Sequence, residues 1–251
     1  MSILAQLKSI EPQTTKANIL VTGRSGTGKT TLAGTLPGRT LLLQVAGKEY
    51  GAETAMAQAK VNGNVLDSIA LSSLSDFIKV ATELKLDTVY DNVYVDSLSG
   101  LTFLAADDPE IAQMLQVKKP GANPFVGYSR IQAEIDKVHK AFSELLYAPS
   151  KKPKNIIFSL AIEPKLDASG LPAEISPVMM GRASYSVFTR PAPTILVLAT
   201  KNTETGTERV MLTSNVGPYI ARVNGLLDAV NPKMIEPNLA TLFTLIAKEV
   251  V

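Results

Sequence analysis

A glycine-rich stretch near the start of the chain carries residue types that can bind phosphate. It runs from Gly23 to Thr30 as Gly-Arg-Ser-Gly-Thr-Gly-Lys-Thr, after a short apolar segment and before a segment that favours a helix. Glycines let the backbone turn its N–H groups around an anion, which the N-terminal end of a helix also attracts. This order of strand, loop and helix predicts a nucleotide-binding loop rather than a glycine-rich turn with an incidental lysine.

The residue types in this loop have different expected roles. Gly23, Gly26 and Gly28 are expected to take positive φ. Lys29 is the candidate catalytic cation that reaches the β- and γ-phosphates, and the Thr30 hydroxyl is a candidate magnesium ligand. The predicted nucleotide-binding residues are Gly23, Arg24, Ser25, Gly26, Thr27, Gly28, Lys29, Thr30 and Thr31. ATP and Mg²⁺ are therefore the expected cofactors.

Asp96 is a second candidate site residue, because it ends an apolar segment that is typical of a buried strand. In an open α/β sheet, ligands lie beyond the carboxyl ends of the strands. Asp96 is therefore expected to hold magnesium through water, which makes Thr30 and Asp96 the predicted metal site. The alternative is that Asp96 only caps the helix that follows.

The composition excludes several other kinds of site. The 251 residues include no cysteine and one histidine, so disulfides, thiolate metal sites and histidine clusters are excluded. The 25 Lys and Arg nearly balance the 23 Asp and Glu, so nucleic-acid binding would have to come from local patches. No apolar run is long enough to span a bilayer, and a cytoplasmic protein without membrane contact is expected.

The elements that must position these residues follow from the alternation of apolar strands and amphipathic helices. This alternation predicts the α/β class, with a mainly parallel central sheet flanked by helices. Strands are predicted at 17–22, 40–45, 65–71, 92–96 and 155–161, with a late antiparallel pair at 194–199 and 209–212. Helices are predicted from 29 to the Pro-Gly at 37–38, and at 75–86, 128–147 and 238–250, with a short helix or ordered loop at 50–61.

The remaining segments are assigned to loops and to an N-terminal arm. The polar residues 107–123 are expected to form an exposed loop, and the proline- and glycine-containing residues 163–182 a second long loop. Residues 2–10 have the apolar spacing of a short helix, which would pack on its own domain or on a neighbouring subunit. We expect a single domain over 1–251, with 1–16 as the N-terminal helix or arm.

The residue after Asp96 distinguishes two groups of ATPase. Remodelling ATPases of the AAA+ type resemble one another in having a glutamate there, whereas Ser97 follows Asp96 here and the run resembles the RecA group. In the RecA group, the base is a glutamate just after the strand that follows the phosphate-loop helix. The nearest carboxylate to that position is Glu49, which is the candidate catalytic base. The alternative is a solvated loop glutamate, and only geometry can decide.

The wider resemblance is to the short, single-domain RecA-like P-loop ATPases of tailed phages and prophages. It rests on the residues Gly127-Tyr128-Ser-Arg, Pro177-Val-Met-Met-Gly181, Gly225-Leu-Leu and Glu236-Pro-Asn-Leu239. The resemblance implies a homo-oligomer that binds single-stranded DNA beside a phage single-strand-binding or annealing protein. RecA-like proteins carry a glutamine or histidine sensor where this chain has Leu160 and Ala161, which implies weak hydrolysis.

The resemblance also predicts where DNA would bind, namely on the two loops after the strands that end at Asp96 and Ala161. The predicted DNA-binding residues are Lys118, Lys119, Phe125, Lys165 and Arg182. Cations of this kind contact the phosphate backbone, and an aromatic ring can stack on a base. The alternative is that the lysines at 118 and 119 are an ordinary solvated pair.

Two further functions remain open from the sequence. The absence of the sensor side chain favours a nucleotide-dependent structural or interaction protein with vestigial hydrolysis. A small-molecule kinase would need a basic lid with several arginines, and residues 163–182 contain only Lys165 and Arg182 as cations. No base-reading motif separates ATP from GTP.

Overall fold

The computed structural model describes residues 16–116, 123–147, 150–170, 172–181, 189, 192–204, 206–224 and 233–249. The strands are β1 (Asn18–Gly23), β2 (Arg39–Val45), β3 (Val65–Leu71), β4 (Asn92–Asp96), β5 (Asn155–Leu166), β6 (Pro172–Pro177), β7 (Thr194–Thr203), β8 (Gly206–Leu212) and β9 (Met234–Ile235). The α-helices are α1 (Lys29–Leu32), α2 (Ala52–Val61), α3 (Leu74–Leu84), α4 (Leu98–Ala106), α5 (Pro109–Leu115), α6 (Pro124–Ser143) and α7 (Leu239–Glu249).

The strands form one sheet in the order β3-β2-β4-β5-β1-β7-β8-β9, and β6 pairs with the far end of β5. All neighbours from β3 to β7 are parallel, whereas β8, β9 and β6 are added antiparallel. The predicted α/β class with a mainly parallel sheet is confirmed. The order puts β5 between β1 and β4, so the ends of three chemically important strands lie side by side.

Helices cover both faces of the sheet, which explains why the central strands are apolar along their whole length. Leu41 and Leu43 of β2 face one core with Phe77 of α3, whereas Leu42 faces the other core with Leu32 of α1. Each strand thus contributes alternate residues to two separate cores. This burial on both sides fixes the strand register, because a shift by one residue would exchange the two faces.

Residues 107–123 do not form the exposed loop that their polarity indicates. Asp108 caps α5 by accepting hydrogen bonds from the N–H groups of Glu110 and Ile111, and Pro109 occupies the first helical position. Aspartate followed by proline is a helix-start signal that outweighs the polar composition. Only residues 117–122 of this segment lie outside the described residues.

The second predicted long loop, residues 163–182, is also wrong for most of its length. β5 continues to Leu166 and forms a hairpin with β6, with Ile162 opposite Pro177 and Lys165 opposite Glu174. The prolines are tolerated because β6 pairs with β5 alone and is therefore an edge strand. Residues 171 and 182 lie outside the described residues, as do residues 1–15, which hold the predicted N-terminal helix.

Three other predictions need smaller changes. The ambiguous segment 50–61 forms the helix α2, and the long helix begins at Pro124, where the Asn123 side chain accepts a hydrogen bond from the backbone of Val126. The late strands β7 and β8 pair antiparallel, as predicted, and both are longer than the predicted segments. The short strand β9 has only two residues, which is too few for a periodic pattern.

Candidate nucleotide site

The phosphate-binding loop connects the end of β1 to the first residue of α1. Gly26 and Gly28 have φ of 79° and 96°, a region that residues with a β-carbon rarely adopt. Gly23 does not have positive φ, which corrects the expectation for that residue. A β-carbon on Gly23 would lie 2.7 Å from the Thr27 hydroxyl oxygen and 2.8 Å from the Leu198 carbonyl oxygen. Close packing is therefore the reason for glycine at this position.

Lys29 extends across the loop instead of into solvent. Its Nζ donates hydrogen bonds of 3.0 Å and 2.9 Å to the carbonyl oxygens of Gly23 and Arg24. Burial lowers the pKa of Lys29, whereas the nearby carboxylates of Asp96 and Glu49 act in the opposite direction. Two neutral carbonyl oxygens thus hold the ammonium group over the loop. A phosphate oxygen could replace them as a charged acceptor, which forms a stronger hydrogen bond.

The structure brings Thr30 and Asp96 into direct contact although they are far apart in sequence. The Thr30 hydroxyl donates a 2.6 Å hydrogen bond to Oδ2 of Asp96, and the Ser159 hydroxyl donates to Oδ1. The Asp96 residue is only 1% exposed. Ser97, not Asp96, caps the following helix, because its side chain accepts from the Gly100 N–H. The capping alternative for Asp96 is therefore wrong.

The donor set at this contact fits magnesium. Mg²⁺ is usually held by one or two carboxylates together with substrate phosphates and water, and hydroxyl and carboxylate oxygens are suitable ligands. Within the described ranges, no three His, Asp or Glu residues cluster as a self-sufficient metal site. In a site of this kind, phosphate oxygens and water supply the rest of the magnesium shell.

Glu49 lies in the loop after β2 and reaches the same edge of the sheet. Its Oε1 accepts a hydrogen bond from the Ser97 hydroxyl, so it is not a freely solvated loop residue. Burial and the neighbouring Asp96 raise the pKa of Glu49, while the Ser97 hydrogen bond and Lys29 lower it. A β-carbon on Gly100 would lie 3.2 Å from Oε1, so glycine at that position leaves room for the carboxylate.

Two site residues were missed by the sequence analysis. Tyr94 is fully buried, and its hydroxyl donates a 2.6 Å hydrogen bond to the backbone carbonyl of Lys29, which ties β4 to the start of α1. Ser159 bonds to Asp96 from the middle of β5. Neither belongs to a local motif, although a serine within the apolar run 156–162 is a signal that could have been noticed.

The part of β5 beside the phosphate loop carries no side chain that could sense a phosphate. Ala161 pairs with Gly23 at the start of the phosphate loop, and the preceding Leu160 is fully buried in the apolar core. Neither side chain can form a hydrogen bond. The strand thus reaches the expected position without the glutamine or histidine of the group that the sequence resembles.

The predicted DNA-binding residues are only partly described. Lys118, Lys119 and Arg182 lie outside the described residues. Phe125 is the second residue of α6 and is 85% exposed. Lys165 lies on the exposed end of β5, where its Nζ forms a 2.8 Å ion pair with Glu174 of β6. This pairing reduces the charge that Lys165 offers to a nucleic acid.

One of the comparisons with known proteins matches most of the chain. A family model described as an AAA domain matches residues 15–222, which include the phosphate loop, Glu49 and Asp96. A search among curated proteins finds no match. Across the part of the chain that the structure describes, there is no helix with the length and apolarity needed to cross a membrane.

Proposed function

Because the chain belongs to the AAA-domain family, whose members are generally ATPases, we propose that it is a magnesium-dependent ATPase of phage DNA recombination or replication. It would assemble with copies of itself and bind single-stranded DNA, in company with a phage single-strand-binding or annealing protein. The observation that carries the proposal is the contact between Thr30 and Asp96 beside Lys29, because these groups together fit a magnesium-bound triphosphate.

In this proposal, phosphate binding, metal binding and proton transfer are assigned to different residues of the chain. Lys29 would exchange the carbonyls of Gly23 and Arg24 for phosphate oxygens, and Thr30 and Asp96 would hold the metal directly or through water. A bound magnesium ion would neutralise charge on the β- and γ-phosphates. Glu49 would take a proton from the attacking water, since the charges of Asp96 and Glu49 both act on Lys29 and Asp96 is assigned to the metal.

Two residues favour a RecA-like over an AAA+ remodelling ATPase, and the phage subdivision rests on the wider sequence resemblance. Ser97 stands where AAA+ remodelling ATPases carry their base, and Glu49 follows β2, as the base does in the RecA group. DNA binding is supported by the exposed ring of Phe125 on α6.

A second candidate is a nucleotide-dependent structural or interaction protein whose hydrolysis is vestigial. The aliphatic residues of β5 beside the phosphate loop favour it, because the side chains of Leu160 and Ala161 cannot form a hydrogen bond that reports the loss of the γ-phosphate. In this case, ATP would bind and stabilise one assembly without being turned over.

Phosphate release from Mg²⁺-ATP, measured with and without single-stranded DNA, separates the candidates. DNA-stimulated release that is lost in Lys29→Ala supports the ATPase. If the wild-type protein binds ATP but releases no phosphate, even when DNA is present, the result supports the structural protein. Sedimentation with and without ATP tests assembly, and a monomer under both conditions would contradict the oligomer.

A further inference from the structure

A cavity of about 300 Å³ borders the phosphate loop on the flank away from Asp96. Its lining includes Thr27, Gly28 and Thr31 from the loop and α1, Gln58 from α2, Arg209 from β8, and Glu236. None of the residues that meet at the candidate metal site borders it. Its volume is at the lower end of the range of about 300–1,000 Å³ for small-molecule sites, so it suits a fragment smaller than a whole nucleotide.

The orientation of a nucleotide in the phosphate site predicts which part of it would reach the cavity. The metal ligands and Glu49 meet at one end of the loop, so the terminal phosphates belong there. The rest of a nucleotide must leave the loop at its other end. Gly28 and Thr31 are shared by the loop and the cavity, which makes the cavity continuous with the phosphate site.

The walls of the cavity offer polar groups that are not used elsewhere. Arg209 leans over the loop, with Nη1 3.4 Å from the position that a β-carbon on Gly28 would occupy. In the described ranges, neither its guanidinium nor the side chains of Gln58 and Glu236 have a hydrogen-bond or ion-pair partner. The cavity therefore presents a cation beside the phosphate loop, together with an amide and a carboxylate.

We propose that this cavity binds the nucleoside half of the nucleotide, with the Gln58 amide and the Glu236 carboxylate as hydrogen-bond partners of the base and ribose. Arg209 stands at the junction, where its charge can offset the phosphate next to the ribose. The proposal rests on the proposed nucleotide-binding function. It assigns nucleoside recognition to residues that lie far from the phosphate-loop motif in sequence.

Inorganic tripolyphosphate is the probe that separates the two halves of the ligand, because it carries the phosphates without a nucleoside. Calorimetry of the full chain with Mg²⁺ would give the Kd of ATP, GTP and tripolyphosphate. In the double variant Gln58→Ala/Glu236→Ala, we expect the Kd of the better-bound nucleotide to rise about tenfold, from the loss of two hydrogen bonds. The Kd of tripolyphosphate should stay unchanged.

A matched control removes the same residue types from α5, in the double variant Gln113→Ala/Glu110→Ala, which should leave all three Kd values unchanged. Unchanged nucleotide affinity in the Gln58/Glu236 variant would overturn the proposal, as would an equal loss for nucleotide and tripolyphosphate. Wild-type protein that binds nucleotide no tighter than tripolyphosphate would also overturn it. If Lys29→Ala weakens neither ligand, the nucleotide-binding function itself fails, and this result is distinct from the others.

Discussion

The candidate nucleotide site and the described part of the candidate DNA surface are built in opposite ways. At the nucleotide site, Asp96 is buried and takes hydrogen bonds from Thr30 and Ser159, which come from two other elements. At the DNA surface, Phe125 is 85% exposed and Lys165 pairs only with its hairpin neighbour Glu174. Buried polar groups are costly unless they are bonded, whereas exposed ones contribute little to stability. Substitutions at the first site should therefore change both chemistry and stability, and those at the second only binding.

The largest expected effect is at Lys29, whose ammonium group donates to the Gly23 and Arg24 carbonyls and would donate to phosphate instead when nucleotide binds. Lys29→Ala should weaken ATP binding by about 100-fold or more, since charged hydrogen bonds to phosphate contribute about 1.5–3 kcal/mol each. Equilibrium binding of a fluorescent ATP analogue measures the loss. Lys48→Ala, in the exposed loop after β2, is the matched control and should bind normally. Wild-type affinity in a folded Lys29 variant would contradict the assignment.

The next effect separates turnover from binding within the same site. Glu49→Gln should bind nucleotide normally but hydrolyse it about 100-fold more slowly, because the amide cannot accept the proton. Single-turnover phosphate release and equilibrium binding give the two quantities. Glu53→Gln, on the exposed side of α2, controls for loss of a nearby carboxylate. An unchanged rate would leave the chain without an identified base and would favour the vestigial function.

Asp96→Asn tests whether the buried carboxylate combines a metal role with a structural role. Its Oδ atoms accept from two hydroxyls, so an amide group in place of either oxygen must donate to that hydroxyl, whose own proton then loses its carboxylate acceptor. We expect magnesium-dependent ATP binding to weaken and the free energy of unfolding to fall by about 1–3 kcal/mol. Binding with and without Mg²⁺ and urea unfolding measure the two effects. If Asp96→Asn binds ATP and resists urea as the wild type does, then substitutions at the nucleotide site do not change both chemistry and stability.

The exposed surface should show the reverse behaviour. Phe125→Ala should weaken binding of a single-stranded oligonucleotide by about tenfold, because base stacking on an aromatic ring contributes about 1–3 kcal/mol. The thermal midpoint should not change, since the ring packs against almost nothing. Tyr147→Ala, a half-exposed aromatic after the other end of α6, is the control. Equal DNA binding by Phe125→Ala and wild type would remove this ring from the DNA surface.

The smallest effect concerns the two lysines of the predicted first loop. Lys118→Ala/Lys119→Ala should lower the slope of log affinity against log salt by about 1.4, or about 0.7 for each lost phosphate contact on a single strand. Oligonucleotide binding across a salt series, with and without ATP, measures the slope. Lys137→Ala/Lys140→Ala on α6 is the matched pair. If the slope stays at the wild-type value, these lysines are a solvated pair and not a DNA contact.

The local sequence determined the elements and the centre of the nucleotide site. The phosphate loop spans eight consecutive residues, and the glycines, Lys29 and Thr30 are fixed by the backbone path between one strand and one helix. The parallel sheet also followed from local patterns, because apolar runs covered on both faces leave no polar alternation. The local patterns gave the wrong structure at α5 and at the β5–β6 hairpin. The polar residues there form a helix capped by Asp108, and the proline-containing residues form an edge strand.

Only the tertiary structure decided which distant residues meet. The insertion of β5 between β1 and β4 brings Ser159 to Asp96, and the return of the loop after β2 brings Glu49 to Ser97. β8 likewise carries Arg209 to Gly28, which is far earlier in the sequence. No short-range pattern encodes these contacts, because strand order depends on how two complete cores are packed on the two faces of the sheet.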